Sequence, residues 1–178
     1  LTAFQIAVVT WISRWEHKPD VVHCHDNHKA LIPLMIKHCY DFQHLASVPT
    51  VVTIHNGQYQ GWMGWDKSLY IPRWDLWKRG MLDWAGNINP LASGVKCADK
   101  VTTVSWSYME ELRTNANGLE ALFEYEKGKC VGILNGIDNA SINHSLFSLA
   151  DWLVKKQQIY YLMQLKQLFI KHRGKLAF

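Results

Sequence analysis

The sequence contains no apolar run long enough to cross a membrane. Its longest run covers residues 30–36 and includes Pro33, whereas a membrane-spanning helix needs about 20 apolar residues. The N-terminus lacks the charged-then-apolar pattern of a secretory signal. Gly-rich phosphate-binding loops of the familiar kinds and internal repeats are also lacking. The sequence therefore predicts neither a membrane protein nor a secreted one.

Cysteine is scarce and never closely paired. The chain has four cysteines and no CxxC motif, which argues against a thiol-ligated metal site and against a disulfide framework. Free thiols in a reducing compartment are the expected state. We therefore expect a cytoplasmic protein.

Positive charge is in excess, but the excess is unevenly placed. The formal net charge is +4, yet residues 1–150 hold 13 Lys and Arg against 14 Asp and Glu, while residues 151–178 hold 6 against 1. A globally basic surface is therefore not expected, and neither nucleic acid nor a membrane surface is predicted as a partner.

Short apolar runs alternate with helical patterns along most of the chain. Strands are predicted at residues 21–24, 51–54, 100–104 and 130–134, and helices at 3–15, 30–40, 88–98 and 106–113. Pro33 would fall in the first turn of its helix, and Ser105 would cap the last helix. This alternation predicts an α/β fold with a parallel sheet and flanking helices.

Polar or Gly-containing segments follow all four predicted strands. They are residues 25–28, 55–57, 105–108 and 135–138. In open α/β sheets, ligands bind at the carboxyl ends of the strands. The sequence therefore predicts a binding site at this edge of the sheet.

The densest polar cluster is His23, His25, Asp26 and His28. Imidazole and carboxylate are common zinc ligands, and the spacing is near the HxHxDH of metallo-β-lactamase-like hydrolases, although the Asp comes one position early. A polar binding loop and a set of structural histidines are the other two interpretations, and the binding loop is favoured.

Residues 57–86 are rich in Trp and Gly and hold five of the nine tryptophans. We expect a long elaborated loop with short helices. Its large aromatics are Trp62, Trp65, Tyr70, Trp74, Trp77 and Trp84. We expect these to pack into the core, because large aromatics are mostly buried; the alternative is that they offer their faces to sugar rings.

Several motifs carry a resemblance to a known family. Residues 19–26 (PDVVHCHD), 50–61 (TVVTIHNGQYQG), 100–105 (KVTTVS) and 131–138 (VGILNGID) resemble the glycogen and starch synthases of glycosyltransferase family 5. Tyr108 and Glu111 also fit that pattern. The insertion at 57–86 is similar to that of the Bacteroidetes-type bacterial enzymes. The resemblance is collinear over residues 1–138.

The resemblance implies a partial GT-B fold, in which two Rossmann-like domains enclose the active site. It implies retaining transfer of glucose from ADP-glucose, or UDP-glucose, to the non-reducing end of an α-1,4-glucan. The implied partners are a nucleotide sugar and glycogen, with no metal and no cofactor.

The resemblance also assigns site residues. It implies that Asp26 and His55 are catalytic residues beside the donor glucose. It implies substrate-binding roles for Asn135, His25, Asn56 and Tyr59. Two positions depart from the family pattern: Asn27 replaces a usual aromatic residue, and Lys29 replaces a small one.

The resemblance stops at Asp138. We expect residues 1–138 to be the C-terminal part of the synthase N-terminal domain and 139–178 to be an aberrant start of the second. Codons can be chosen for residues 149–166 that encode a family-like segment when read one base earlier. Compensating frameshifts are one interpretation, and a genuine basic helix at 152–172 is the other.

The chain is thus expected to be a fragment with negligible transfer activity of its own, because the family's diphosphate-binding Arg and Lys and its catalytic Glu have no counterparts in it. Two alternatives remain open: a zinc-dependent hydrolase using His23, His25, Asp26 and His28, and a non-catalytic glucan-binding module using the Trp-rich stretch. The sequence predicts no oligomeric state.

Overall fold

The computed structural model describes residues 1–136 of the 178-residue chain. Two units are distinguished, Leu1–Ile133 and Leu134–Phe178, and the first of these carries the fold described below. The predicted aberrant segment at 139–178 and the two interpretations of its origin lie outside the described residues. The domain assignment stays a prediction.

A four-stranded parallel sheet forms the centre of the first unit. Its strands, in chain order, are β1 (Val22–His25), β2 (Thr50–Ile54), β5 (Lys100–Thr103) and β6 (Cys130–Gly132). The order across the sheet is β1-β2-β5-β6, and all three pairings are parallel. Every residue of β2 is buried, as expected of a central parallel strand. The predicted α/β class is confirmed.

Helices pack beside this sheet. They are α1 (Thr2–Ser13), α2 (Asp26–Lys29), α3 (Ile32–His38), α4 (Pro90–Cys97), α5 (Trp106–Leu112) and α6 (Glu120–Tyr125). Pro33 lies in the first turn of α3. The Ser105 hydroxyl accepts a hydrogen bond from the backbone N–H of Tyr108, at 3.0 Å, and so caps α5. The predicted cap is confirmed, whereas α2 and α6 are not predicted from the sequence.

Close backbone packing joins β6 to the start of α5. A Cβ atom added to Gly132 would lie 2.4 Å from the Cα of Trp106, so glycine is required at this position. Along the chain, the buried core extends from Val9 of α1 to Cys130 of β6. Because these elements pack on one sheet, they fix the positions of the segments that follow its strands.

The Trp-rich stretch contains short 3-10 helices, as predicted, at Trp65–Tyr70 and Leu76–Met81. It also contains a small antiparallel pair, β3 (Asp83–Trp84) with β4 (Asn87–Ile88), which is not predicted. No helix among residues 1–136 is both long and apolar enough to span a membrane.

The predicted core packing of the aromatics in this stretch is only partly right. Trp74 is 9% exposed and belongs to the core, but Trp62, Tyr70 and Trp77 are 45%, 66% and 80% exposed. The prediction is wrong for these three because the short 3-10 helices lie on the surface and cover little of their neighbours.

Trp65 and Trp84 are half-buried and fasten the stretch to the rest of the unit. The indole N–H of Trp65 donates to Asp83 at 3.1 Å, and that of Trp84 donates to the carbonyl of Gly118 at 2.7 Å. Each ring also carries a cation, from Arg79 and Lys96 respectively. Their role is therefore structural.

Candidate functional site

The carboxyl ends of β1 and β2 bring four predicted site residues together. His25 pairs with Thr53 in the parallel register, so the residues that follow the two strands, Asp26 after β1 and His55 with Asn56 after β2, meet at the same edge. This is the edge at which parallel α/β sheets bind ligands.

Asp26 joins the two loops through its carboxylate. One oxygen, Oδ1, accepts hydrogen bonds from the backbone N–H groups of His55, at 2.7 Å, and of Asn56, at 3.2 Å. The residue adopts a left-handed backbone conformation with φ 52°, which aspartate tolerates better than most residues. Asp26 therefore holds the backbone of His55 and Asn56 in place, and this backbone positions the His55 side chain.

The His25 side chain contacts the ring of His55. Nδ1 of His25 lies 3.0 Å from Nε2 of His55, and the two rings are stacked at 5.3 Å. Burial, and secondly the neighbouring His55, lower the pKa of His25 to about 4. His25 is therefore neutral at pH 7, and the hydrogen bond couples the tautomer of each ring to that of the other.

His23 continues this network into the sheet. Its ring lies 4.3 Å from that of His25, and its Nε2 lies 2.6 Å from the hydroxyl of Thr53, which lies 2.6 Å from that of Thr102. Both threonines are fully buried. Burial lowers the pKa of His23 to about 3. We call His23, His25, His55, Thr53 and Thr102 the histidine network.

The zinc interpretation finds no support in this geometry. Within residues 1–136, no group of three or more His, Cys, Asp or Glu side chains is arranged to hold a metal ion. The nitrogens of His25 and His55 that face each other share a hydrogen bond. His28 is exposed on α2 and lines a separate cavity.

His55 also lines a cavity of about 270 Å³, which lies between residues 55–58 and 108–117; we call it the polar cavity. The Tyr108 hydroxyl accepts a hydrogen bond from the backbone N–H of Gly57 at 2.8 Å, which ties the loop after β2 to α5. Glu111 and Asn115 also line this cavity. Tyr108 and Glu111 fit the family pattern in the sequence, but no role is predicted for them there, and Asn115 is not singled out by sequence reasoning at all.

A second cavity, of about 560 Å³, lies along residues 58–62 and beside Asn27 and His28; we call it the aromatic cavity. Tyr59 and Trp62 line it and are largely exposed. Asn27 is buried, and its Oδ1 has no hydrogen-bond partner in the described part of the chain. Gln58 lines both cavities.

The predicted site residues thus fall into three places. Asp26, His25, His55 and Asn56 lie together at the sheet edge, and Tyr59 lies at the aromatic cavity. Asn135 belongs to the second unit, and its binding role stays a prediction from the sequence.

Comparison with known proteins gives one consistent result. The sequence model of a family described as the starch synthase catalytic domain matches residues 1–125. A glycogen synthase of Flavobacterium johnsoniae is 53% identical over 136 residues, covering 76% of this chain and 29% of that protein. A glycogen synthase of Streptococcus sanguinis is 40% identical over 147 residues, covering 79% and 30%.

Among solved structures, the chain is similar to the catalytic domain of Starch Synthase IV from Arabidopsis thaliana bound to ADP and acarbose. The TM-score is 0.68 at 30% identity, over 79% of this chain and 30% of that one. The chain therefore spans about 30% of the length of each of these proteins.

Proposed function

Because this chain belongs to the family of starch synthase catalytic domains, we propose that it serves the retaining transfer of glucose from ADP-glucose, or UDP-glucose, to the non-reducing end of an α-1,4-glucan. Its parallel sheet with flanking helices is part of a GT-B glycosyltransferase fold. The ADP bound to the similar Arabidopsis structure supports a nucleoside diphosphate as the leaving group.

The observation that carries this proposal is the junction of Asp26 with His55 and Asn56. The Asp26 carboxylate holds both backbone N–H groups, so the His55 side chain stands at a fixed place beside the polar cavity. A retaining glucosyl transfer builds positive oxocarbenium character on the sugar. Fixed polar contacts accelerate it only where they tighten in the transition state.

The histidine network defines the state in which His55 acts. His23 and His25 are kept neutral by burial, with pKa values of about 3 and 4. A neutral His25 offers His55 either one N–H donor or one lone pair. His55 therefore meets the donor sugar as a group of fixed orientation, which is the kind of preorganisation that catalysis requires.

The proposed cellular setting is the cytoplasm. Cys24, Cys39, Cys97 and Cys130 are all free and buried, which fits a reducing compartment. Burial raises the pKa of Cys24 and Cys97 to about 12, so these thiols are unreactive and carry no part of the chemistry.

Transfer by this chain alone is not expected. By the family resemblance, the groups that bind the diphosphate and the catalytic Glu come from a second domain, and positioning of both substrates is lost without them. When the purified 178-residue chain is incubated with glycogen and ADP-glucose or UDP-glucose, it should release no ADP or UDP above background. Measurable glucan elongation would contradict this part of the proposal.

A chimera tests the proposed reaction directly. Residues 1–136 would replace the matching segment of the Flavobacterium johnsoniae glycogen synthase, which is 53% identical over 136 residues. We expect ADP-glucose-dependent elongation, with His55→Ala lowering kcat by about 100-fold. The exposed Asp20→Asn serves as a control and should leave kcat unchanged. A folded chimera that binds glycogen but never transfers glucose would favour the glucan-binding module instead.

A further inference from the structure

Side chains hold the loop that follows β2, residues 55–58, which we call the β2 loop. Each of its four backbone N–H groups donates a hydrogen bond to a side-chain oxygen. The first two donate to Asp26, the third donates to the Tyr108 hydroxyl at 2.8 Å, and the fourth donates to Asn56 at 3.0 Å. Only Asp26 and Tyr108 lie outside the loop, so these two residues determine where the loop stands.

Tyr108 is held firmly by the helix that carries it. Its ring is partly buried and packs against the core, and its neighbours Met109 and Leu112 on α5 are each 1% exposed. Ser105 caps the same helix, and Gly132 lets the backbone of β6 approach it closely. The Tyr108 hydroxyl therefore has a fixed position relative to the sheet.

Gly57 brings the β2 loop close enough to reach that hydroxyl. A Cβ atom added to Gly57 would lie 2.8 Å from Cδ2 of Leu112 and 3.5 Å from the Tyr108 hydroxyl, so a larger residue would push the loop away from α5. Gly57 is also buried, and a buried N–H group without an acceptor is costly. Without the hydroxyl, the loop would have to move to find another partner.

Two anchors are needed because one anchor leaves a loop free to pivot. Asp26 holds the β2 loop from the side of β1, and Tyr108 holds it from the side of α5, two residues after His55. A pivot about Asp26 alone would change the 3.0 Å contact between His55 and His25. Tyr108 thus acts on His55 through the backbone, without touching its ring in the way that His25 does.

We propose that Tyr108 is a positioning residue for the glucosyl transfer: its hydroxyl holds the β2 loop against α5 through the Gly57 N–H and so places the His55 side chain. This inference rests on the proposed function and gives Tyr108 no part in bond making. Groups that support a site through hydrogen bonds keep its reacting groups in the productive geometry. A misplacement of about 1 Å can cost up to about 100-fold in rate.

Tyr108→Phe tests the positioning directly, because it removes one oxygen atom and keeps the ring. In the full 178-residue chain without any ligand, amide hydrogen exchange at Gly57 should become at least about tenfold faster. The ring nitrogen signals of His55 in NMR spectra should also shift, because its contact with His25 changes. If Tyr108 only filled space in the core, neither quantity would change, since a phenylalanine ring fills that space equally well.

Two control variants separate positioning from loss of a hydroxyl group and from loss of stability. Tyr125→Phe removes the hydroxyl of an 85% exposed tyrosine on α6 and should change neither quantity. Leu122→Ala truncates a buried residue of the same helix; it should lower the urea midpoint but leave the His55 signals in place. If the His55 signals and Gly57 exchange were the same in Tyr108→Phe as in the wild type, the proposal would be overturned.

The chimera separates this inference from the proposed function. There, Tyr108→Phe should lower kcat about tenfold and leave the KM for ADP-glucose within about twofold, because lost positioning acts on the transition state rather than on substrate binding. Tyr125→Phe should leave kcat unchanged. Normal transfer by Tyr108→Phe would refute the positioning role and leave the proposed reaction standing. A wild-type chimera without transfer would contradict the proposed function instead, and the His55 signals of the 178-residue chain would still decide whether Tyr108 positions that side chain.

Discussion

Two polar regions adjoin His55, and they differ in whether their side chains form hydrogen bonds within the protein. On one side, the histidine network and Asp26 bond to each other and to the backbone across three neighbouring strands. On the other, the side chains of Gln58, Glu111 and Asn115 line the polar cavity and form no hydrogen bond within residues 1–136. Polar groups already paired within the protein hold structure, whereas unpaired groups in a concave surface are available to a ligand. The two regions should therefore respond differently to the same kind of substitution.

The largest effect on stability is expected from Asp26→Ala. The variant loses two hydrogen bonds to a charged acceptor, at 2.7 and 3.2 Å, and places alanine in a left-handed conformation. We expect the free energy of unfolding to fall by about 3 kcal/mol. Urea unfolding followed by circular dichroism measures this change.

Asp26→Asn provides the matched variant. It keeps an oxygen acceptor and a side chain that tolerates the left-handed conformation, so we expect a loss of only about 1 kcal/mol. Asp20→Ala, at an exposed position, should change stability by less than about 0.5 kcal/mol. An Asp26→Ala variant as stable as Asp20→Ala would show that this carboxylate does not hold the two loops together.

The meeting of His25, Asp26 and His55 could be predicted from the sequence, because apolar strand patterns and parallel pairing bring residues after adjacent strands to one edge. The hydrogen bonds made by Asp26 could not, since they depend on a left-handed backbone that no local pattern specifies. The polar cavity also escapes sequence reasoning. Its far wall, with Glu111 and Asn115, is set by how α5 packs on the loop at Gly57.

The exposure of Trp62 and Trp77 shows the same limit. Residue type predicts that tryptophans are buried, and Trp74 is indeed buried. Whether a given ring reaches the core depends on where the surface 3-10 helices settle, which is a property of tertiary packing. Sequence patterns thus predict the positions of residues next to regular strands more reliably than they predict the exposure of side chains in irregular segments.

A pH titration tests the network side with the next largest effect. His23 has a pKa of about 3 in the folded chain against roughly 6.5 when unfolded. As pH falls below about 6.5, the unfolded chain therefore takes up a proton at His23 while the folded chain does not. This favours unfolding progressively until the pH reaches about 3, where the folded chain is protonated as well. We expect His23 to lower the free energy of unfolding by about 2 kcal/mol at pH 5 relative to pH 7.

His23→Gln should remove that part of the pH dependence. Urea unfolding at pH 7, 6 and 5 would compare this variant with His17→Gln, a substitution of an exposed histidine outside the network. The His17 variant should keep the full acid sensitivity, including the part that the neutral His25 contributes in the same direction. Identical pH profiles for both variants would mean that His23 is not held neutral by the fold.

The smallest effect on stability is expected on the cavity side. Asn115 is exposed, and its side chain forms no hydrogen bond within residues 1–136, so Asn115→Ala should change the free energy of unfolding by less than about 0.5 kcal/mol. Urea unfolding followed by circular dichroism measures this change.

Asn89→Ala is the contrasting asparagine variant. Asn89 is fully buried, donates to Gln60 at 2.7 Å and accepts from the backbone N–H of Ala92 at 3.0 Å, which caps α4. Replacing it with alanine leaves Gln60 and the Ala92 N–H without this hydrogen-bond partner, and should lower the free energy of unfolding by about 2 kcal/mol or more. If Asn115→Ala proved as destabilising as Asn89→Ala, Asn115 would contribute to the stability of the fold. The distinction between polar groups that stabilise the structure and polar groups that are open to a ligand would then be wrong.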